Sequence, residues 1–479
     1  MKIAMIASEA GPFAKTGGLA DVLGTLSPAL ERLGDQVTVI LPAYRSVLRG
    51  EFALQETGMT LSVPVSARQE QAAVLRTSIG KSVTVYLVRA DKYFDRDFLY
   101  GTPTQDYTDN AERFVFFCRA ALEILAAEPV DILHAHDWQA ALTLVFLKTQ
   151  APRYRATAGA KTVFTVHNLA FQGIFSPLDW HLLNLESAFF TPQFLEYYGN
   201  INFLKGALVF ADKLTTVSPT YAQEIMTPEQ GFGLEGVLRQ RAGDLVGILN
   251  GINDSQWNPW TDPLIKHHYG GNSLTTKRRC KTALRQRVGL PDKPDTPIFA
   301  MISRLTAQKG LDLVETVFPE LMERDLQFIL LGNGEPRYEQ FIRAAALQYP
   351  ERVAVRIGFD ERLAHEIEAG ADLFLMPSHF EPCGLNQMFS LKYGTIPIVR
   401  AVGGLKDSVQ DYDPENNSGT GLVFTDYNAA AMLAAIDRGL SAYDDKKNWT
   451  ALRRRAMAMD FSWERSAQLY RDLYRTLVP

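Results

Sequence analysis

Short apolar runs alternate with stretches of helical period along nearly the whole chain. KIAMIAS, residues 2–8, is apolar at consecutive positions, which predicts a strand buried on both faces. The following ADVLGTLSPALERLG places Val22, Leu23, Leu26, Leu30 and Leu33 on one helical face, and QVTVILP returns to strand character. Repetition of this unit predicts a parallel sheet covered by helices. Further strands are read in SVTVYLV, DILHAH, KTVFTVH, DKLTTVS and DLVGILN, which makes one doubly wound α/β domain. The alternation lapses over NGINDSQWNPWTDPLIKHHYGGNS, rich in Asn, Pro, Gly and Trp. That stretch reads as a linker with ordered turns and puts a boundary at residues 250–260. Beyond it PIFAMIS, LQFILLGNG, RVAVRIG, DLFLMPS, TIPIVRA and GTGLVF predict a second domain of the same class, each strand but the last followed by a helix.

Composition narrows what such domains can do. At 479 residues and 46% hydrophobic content, each can bury a core of its own. The net charge of −5 argues against a broad surface for nucleic acid or anionic membrane, so any phosphate site must be local. Cys118, Cys280 and Cys383 are scattered and show no CxxC spacing, which disfavours both a disulfide framework and a thiolate metal site. No apolar run approaches the ~20 residues of a membrane span, and the first is too short for a signal peptide. A cytoplasmic protein is expected.

Open α/β sheets bind ligands beyond the carboxyl ends of their strands, so the loops there carry the candidate chemistry. FAKTGGLAD joins the first strand to the first helix. Gly17 and Gly18 would let a backbone approach an anion at the helix N-terminus, with Lys15 as a mobile charge. The same residues also suit a plain tight turn with Asp21 supporting the helix start. Neither the GxGxxG dinucleotide pattern nor a Walker A loop is present. RLTAQKG puts Arg304 and Lys309 in one loop of the second domain, a pairing suited to a diphosphate or, equally, to solvated surface. In MPSHFEPCGLNQ, Glu381 stands beside the backbone N–H groups of Cys383, Gly384 and Leu385, and Gly403 and Gly404 follow a later strand. HAHDWQAAL and TVHNLAFQG end two strands of the first domain. Asp137 and Trp138 suit sugar contacts, or an N-cap and a core residue, and His167 and Asn168 end the next strand. His134 and His136 share a face but lack a third ligand, and the Asp95/Asp97 and Asp411/Asp413 pairs do not end strands, so no metal is expected.

Taken together, KTGGLADV, HAHDWQA, TVHNLAFQG, FLKGALVFADKLTTVSPTYAQEI, GLEGVL, GILNGI, SRLTAQKGLDL, MPSHFEPCGLNQ and YGTIPIVRAVGGLKD resemble the bacterial glycogen synthase and plant starch synthase family, from residue 1 to past residue 420. The resemblance implies a GT-B fold, two Rossmann-like domains facing across a deep cleft. Its divisions would be residues 1–255, residues 256–457, and a helix within 458–479 crossing back to the first domain. It also implies a retaining glucosyltransferase that moves glucose from ADP-glucose to the non-reducing end of an α-1,4-glucan, with neither cofactor nor metal. The alternatives are the same fold using UDP-glucose, or a silent glucan-binding paralogue. By the resemblance, Lys15, Gly17, Gly18 and Asp21 meet the donor, with Cys383, Gly384 and Leu385 supporting it. Arg304 and Lys309 stabilise departing ADP, Glu381 holds donor hydroxyls or helps stabilise the oxocarbenium-like centre, and His167 contacts the reacting sugar. Asp137, Trp138 and Tyr100 line the acceptor side. The chain departs from the family pattern at His379 (usually Arg), Asn386 (usually Thr) and Ala207 (usually Gly).

Overall fold

The computed structural model describes residues 1–102 and 104–478. The chain divides into two compact units. Unit 1 holds residues 1–217, 222–251 and Trp463 onward, and unit 2 holds 218–221 and 252–462.

Unit 1 is built on a parallel core: β1 (Lys2–Ile6), β2 (Gln36–Pro42), β5 (Val83–Arg89), β6 (Ile132–His136), β7 (Lys161–Val166), β8 (Lys213–Thr216) and β9 (Leu245–Gly247). A hairpin of β3 (Gln55–Val65) and β4 (Arg68–Ile79) pairs antiparallel with β5, the outermost parallel strand on that side, giving the order β9-β8-β7-β6-β1-β2-β5-β4-β3 among the described residues. The sequence reading did not anticipate this hairpin. Its outer half is polar and exposed on both faces from Gln55 to Thr57, so neither a continuous apolar run nor clean alternation marks it. Register runs Ile3↔Val37 on one side of β1 and Ile3↔Ile132 on the other. Helix α1 (Gly18–Arg32) lays Leu19, Val22, Leu23, Leu26 and Leu30 into the core, while α2 (Asn110–Ala127) and α3 (Asp137–Thr149) are apolar nearly all round and correspondingly buried.

Unit 2 carries α4 (Lys277–Val288) and then β10 (Ile298–Ile302), α5 (Leu311–Leu321), β11 (Gln327–Gly332), α6 (Pro336–Gln348), β12 (Val353–Ile357), α7 (Glu361–Gly370), β13 (Leu373–Met376), α8 (Asn386–Tyr393), β14 (Ile396–Arg400), α9 (Gly403–Ser408) and β15 (Leu422–Phe424). All strand pairs are parallel, in the order β12-β11-β10-β13-β14-β15. Contrary to expectation, the last strand is followed by a helix, α10 (Ala429–Asp444), and then α11 (Lys446–Met457). The first is rich in alanine, so its buried stripe of Met432, Ala435, Ile436 and Gly439 has little contrast with its outer face.

The final helix α12 (Trp463–Leu477) belongs to unit 1, and residues 458–462 stay with unit 2. It buries Trp463, Ala467, Tyr470 and Tyr474, and Arg32 pairs with Glu464 at 2.6 Å. Tyr474 reaches His134 Nδ1 at 2.8 Å under the sheet. Among the described residues no helix is long and apolar enough to cross a membrane.

The strand orders locate the chemistry. In unit 1 the chain turns from β1 to β2 on one side and to β6 on the other; in unit 2 it turns from β10 to β11 and to β13. Such switch points open crevices at the carboxyl ends of the two central strands. The loops there are residues 7–17 and Asp137 in unit 1, and residues 303–310 and 377–385 in unit 2.

Candidate active site

In unit 1 the glycine loop is organised by Glu9, which the sequence reading passed over. Its buried carboxylate accepts hydrogen bonds from Thr16 N (2.5 Å), Thr16 Oγ1 (2.6 Å), Gly17 N (3.3 Å) and Tyr100 OH (2.6 Å). Because the Tyr100 proton goes to Glu9, Ser8 Oγ donates to the Tyr100 oxygen across 2.7 Å. Burial and then the Glu9 charge push the Tyr100 phenol well above its ordinary range, so it stays a donor. Two of the N–H groups read as an anion cradle are therefore occupied by the chain's own carboxylate. The first-turn N–H groups of α1, which no helix satisfies internally, remain as the donors at that end. Gly17 is extended at φ −156°, and a methyl group added to Gly17 or Gly18 would meet nothing within 4 Å. Nothing in the chain demands glycine at either position. Lys15 Nζ lies 2.6 Å from Asp21 Oδ1, a pair whose side chains are 52% and 36% exposed and which solvent screens.

At the end of β6, Asp137 opens α3 with φ +55°, a left-handed conformation uncommon for a residue other than glycine. The turn aims its carboxylate at the neighbouring loop, where Oδ1 accepts His167 N at 2.8 Å. Burial pushes this carboxyl up to about 7 against the lowering effect of the backbone donors. Trp138 is half-buried between Phe114 and Phe175, at ring distances of 4.9 and 5.6 Å. Gly173, at φ +63°, passes beneath its ring so closely that a Cβ there would sit 2.5 Å from it. Asp137 thus braces the His167 loop, and Trp138 is partly packing. His167 Nε2 contacts His136 Nδ1 at 3.1 Å, and His134 is taken up by Thr165 (2.6 Å) and Tyr474. Burial holds His134 and His167 down to about 3 and His136 well below its ordinary value, so the three imidazoles are neutral.

In unit 2 the two loops of the switch point meet. Lys309 Nζ lies 2.5 Å from Glu381 Oε2, which also accepts Ser378 Oγ at 3.1 Å; the Glu381 side chain is 7% exposed. Arg304 is exposed, touches only Gln308 Oε1 at 3.5 Å, and makes no ion pair among the described residues. Glycines bring the backbones this close. A Cβ on Gly310 (φ +75°) would lie 2.2 Å from Pro377 O, one on Gly403 (φ +40°) 2.0 Å from Glu381 O, and one on Gly404 2.1 Å from Cys383 O. Gly403 and Gly404 thus let α9 clamp the Glu381 loop. Gln387 Nε2 donates to the carbonyls of Cys383 and Gly384 at 3.0 Å each, fixing the turn (Gly384 φ +68°) in which Leu385 caps α8. Asn386 is engaged elsewhere, donating to Ile302 O at 2.7 Å, and the His379 ring packs edge-on against Tyr427. Asp95 and Asp97 both pair with Arg45, while Asp411 pairs with Arg438 and Asp413 accepts from Asn416. Among the described residues no group of three His, Cys, Asp or Glu side chains converges as metal ligands would.

Residues 2–240 match the family described as the starch synthase catalytic domain, and residues 282–455 match glycosyl transferases group 1. The chain is 50% identical to a glycogen synthase from an Anaeromyxobacter species and 46% identical to one from Bacillus cereus, each over 100% of both chains. Among solved structures, the catalytic domain of starch synthase IV from Arabidopsis thaliana, bound to ADP and acarbose, superposes with a TM-score of 0.91 at 34% identity, covering 99% of each chain. With two α/β units whose switch-point loops carry the family's motifs, the chain belongs to the glycogen synthase and starch synthase family of GT-B glycosyltransferases.

Proposed function

We propose that this enzyme is a glycogen synthase that transfers glucose from ADP-glucose to the 4-hydroxyl at the non-reducing end of an α-1,4-glucan, with retention of configuration. The observation that carries the reading is the Lys309–Glu381 pair, 2.5 Å apart and shielded, with the uncommitted Arg304 in the same loop as Lys309. As the bond between glucose C1 and the β-phosphate oxygen breaks, negative charge collects on ADP and positive charge on C1. Arg304 and Lys309 supply cations for the first, and the Glu381 carboxylate the opposite charge for the second. Lys15 and the first turn of α1 add cationic and N–H donors for donor phosphate, and the open space at Gly17 and Gly18 leaves room for close approach. The neutral His167 offers its second ring nitrogen to a sugar hydroxyl. Asp137 orients the His167 loop, and Trp138 presents its uncovered face to an acceptor sugar.

Double displacement would need a second carboxylate about 5 Å from the first. The reading adopted is front-face substitution. The acceptor oxygen attacks C1 on the side that ADP leaves, and its proton passes to the departing phosphate oxygen. The charge on ADP is met by side chains, and no metal or cofactor is invoked.

The test supplies labelled ADP-glucose or UDP-glucose with glycogen and a chelator, and counts label in precipitated glucan. Incorporation from ADP-glucose, unchanged by the chelator, is expected. Incorporation from UDP-glucose alone would replace the donor, and glycogen binding without incorporation from either would make the chain a glucan-binding protein.

A further inference from the structure

A second cationic site lies in unit 2 at the opposite ends of the same strands. Pro294 and Asp295 precede β10 and Asp372 immediately precedes β13, so the place is a strand length, about 17 Å, from the Arg304 and Glu381 loops. There α4 and α11 border a cavity of about 90 Å³. Its wall carries Lys277, Arg278, Lys281, Arg285, Lys446 and Arg453 against only two acids, Asp295 and Asp372. A local excess of four positive charges in a chain of net charge −5 calls for a cause.

Internal pairing leaves most of that charge unanswered. Asp372 is committed, with Oδ2 2.7 Å from Lys281 Nζ and accepting Ile298 N at 2.9 Å. Lys277 is 2% exposed and has only neutral acceptors, the carbonyls of Glu368 and Ala369 at 3.0 Å and Thr395 Oγ1 at 2.7 Å. Burial, then the nearby Arg453, brings its ammonium down to about 7, and an anion in the cavity would favour its protonated form. Lys446 donates to Tyr443 O at 2.9 Å, and Arg278 makes no ion pair among the described residues. The first turn of α4 runs Lys277, Arg278, Arg279 with no acid and no side-chain N-cap, which sets like charge on the positive end of the helix dipole.

The unmet hydrogen bonds have one sign. Arg453 Nε and Trp449 Nε1 are buried without a hydrogen-bond partner, on side chains that are 9% and 3% exposed, while Arg285 Nη1 has Asp292 Oδ1 at 3.5 Å. Both unpartnered atoms are donors with no acceptor capacity, and the wall contributes no buried acceptor in the same condition. Unsatisfied buried donors point to a group that the chain itself does not supply. The volume has room for several waters or for one tetrahedral oxyanion. Water would answer the donors but not the charge.

We propose that this cavity binds a phosphoryl group, as inorganic phosphate or as the end of a small phosphomonoester. Calorimetric titration with inorganic phosphate at constant ionic strength, in an Arg304→Ala background that weakens phosphate binding at the candidate active site, tests the assignment. Saturable binding is expected, with a change in Trp449 fluorescence. Arg453→Gln and, separately, the exposed substitution Arg278→Glu should each weaken it by roughly tenfold or more, the loss of one charge-assisted contact. The Arg278 variant removes no buried contact and keeps the test valid should the Arg453 variant fold poorly. Glycerol 3-phosphate separates the sources: binding of phosphate alone assigns the free ion, and binding of both assigns a metabolite's phosphoryl group. Absence of saturable binding, which would leave water in the cavity, or binding unchanged in the Arg278 variant, would overturn the proposal.

Discussion

Gly17–Gly18 and Gly403–Gly404 look alike on paper, each a glycine pair leading from a strand into a helix, yet they are glycine for opposite reasons. A methyl group on either member of the first pair would project into open space, whereas on Gly403 or Gly404 it would lie 2.0–2.1 Å from a backbone oxygen of the Glu381 loop. The second pair is required by the fold of unit 2, because α9 must press on the loop that carries Glu381. The first is not required by anything inside unit 1, and on the proposed function its open space is the room a donor phosphate needs. The ion pairs follow the same division. Lys309–Glu381 is shielded and part of a packed junction; Lys15–Asp21 is solvent-screened and free to exchange Asp21 for a ligand.

The comparison breaks most visibly at Lys309. Lys309→Ala leaves the buried Glu381 carboxylate without its ion-pair partner and, on the proposed mechanism, removes a cation from the departing ADP. Turnover should fall by roughly 10²–10³ or more, and thermal stability should fall with it by about 3 kcal/mol. Arg304→Ala sharpens the point, since Arg304 supports no packing: a similar loss of kcat, roughly 10²–10³, is expected with an unchanged melting temperature. A parallel loss of stability in Arg304→Ala would show that its role is structural. Gly403→Ala should destabilise unit 2 by about 3 kcal/mol, combining overpacking with a left-handed φ, and lower its melting transition by roughly 10 °C. The smallest effect is expected at Asp137. Its folded-state carboxyl, raised to about 7 by burial, favours the protonated form, so the stability it contributes is complete below about pH 4 and is lost as pH rises through 7. Asp137→Asn keeps an acceptor for His167 N and should remove that slope, gaining on the order of 1 kcal/mol over the parent at pH 8. Parallel melting curves against pH for the two proteins would contradict the assignment.

The layout of strands and the loops that matter were legible because buried parallel strands read as apolar runs, and a ligand crevice lies where the strand order reverses. Arg304, Lys309 and Glu381 could be placed on switch-point loops from that rule alone. Their pairing could not, because Lys309 and Glu381 are 72 residues apart and only the close approach permitted by Gly310 and Gly403 brings them together. Glu9 escaped notice because a single glutamate after a strand carries no spacing signal. Its role becomes evident only when the loop folds back and presents Thr16 N and Gly17 N to it. The bond from Asp137 to His167 N depends on a backbone twist that no residue pattern encodes. The hairpin of β3 and β4 was missed for a related reason: edge strands with a solvated half lack the apolar contrast on which strand reading depends.

The most direct test of the contrast between the two pairs is to measure melting temperature and glucosyl transfer for Gly18→Ala beside Gly404→Ala. The account predicts that Gly18→Ala melts with the parent while kcat/KM for the donor falls by roughly tenfold or more, and that Gly404→Ala loses stability first, with activity following the folded fraction. A Gly18→Ala protein that melts as early as Gly404→Ala, or one that transfers glucose at the parent rate, would contradict it.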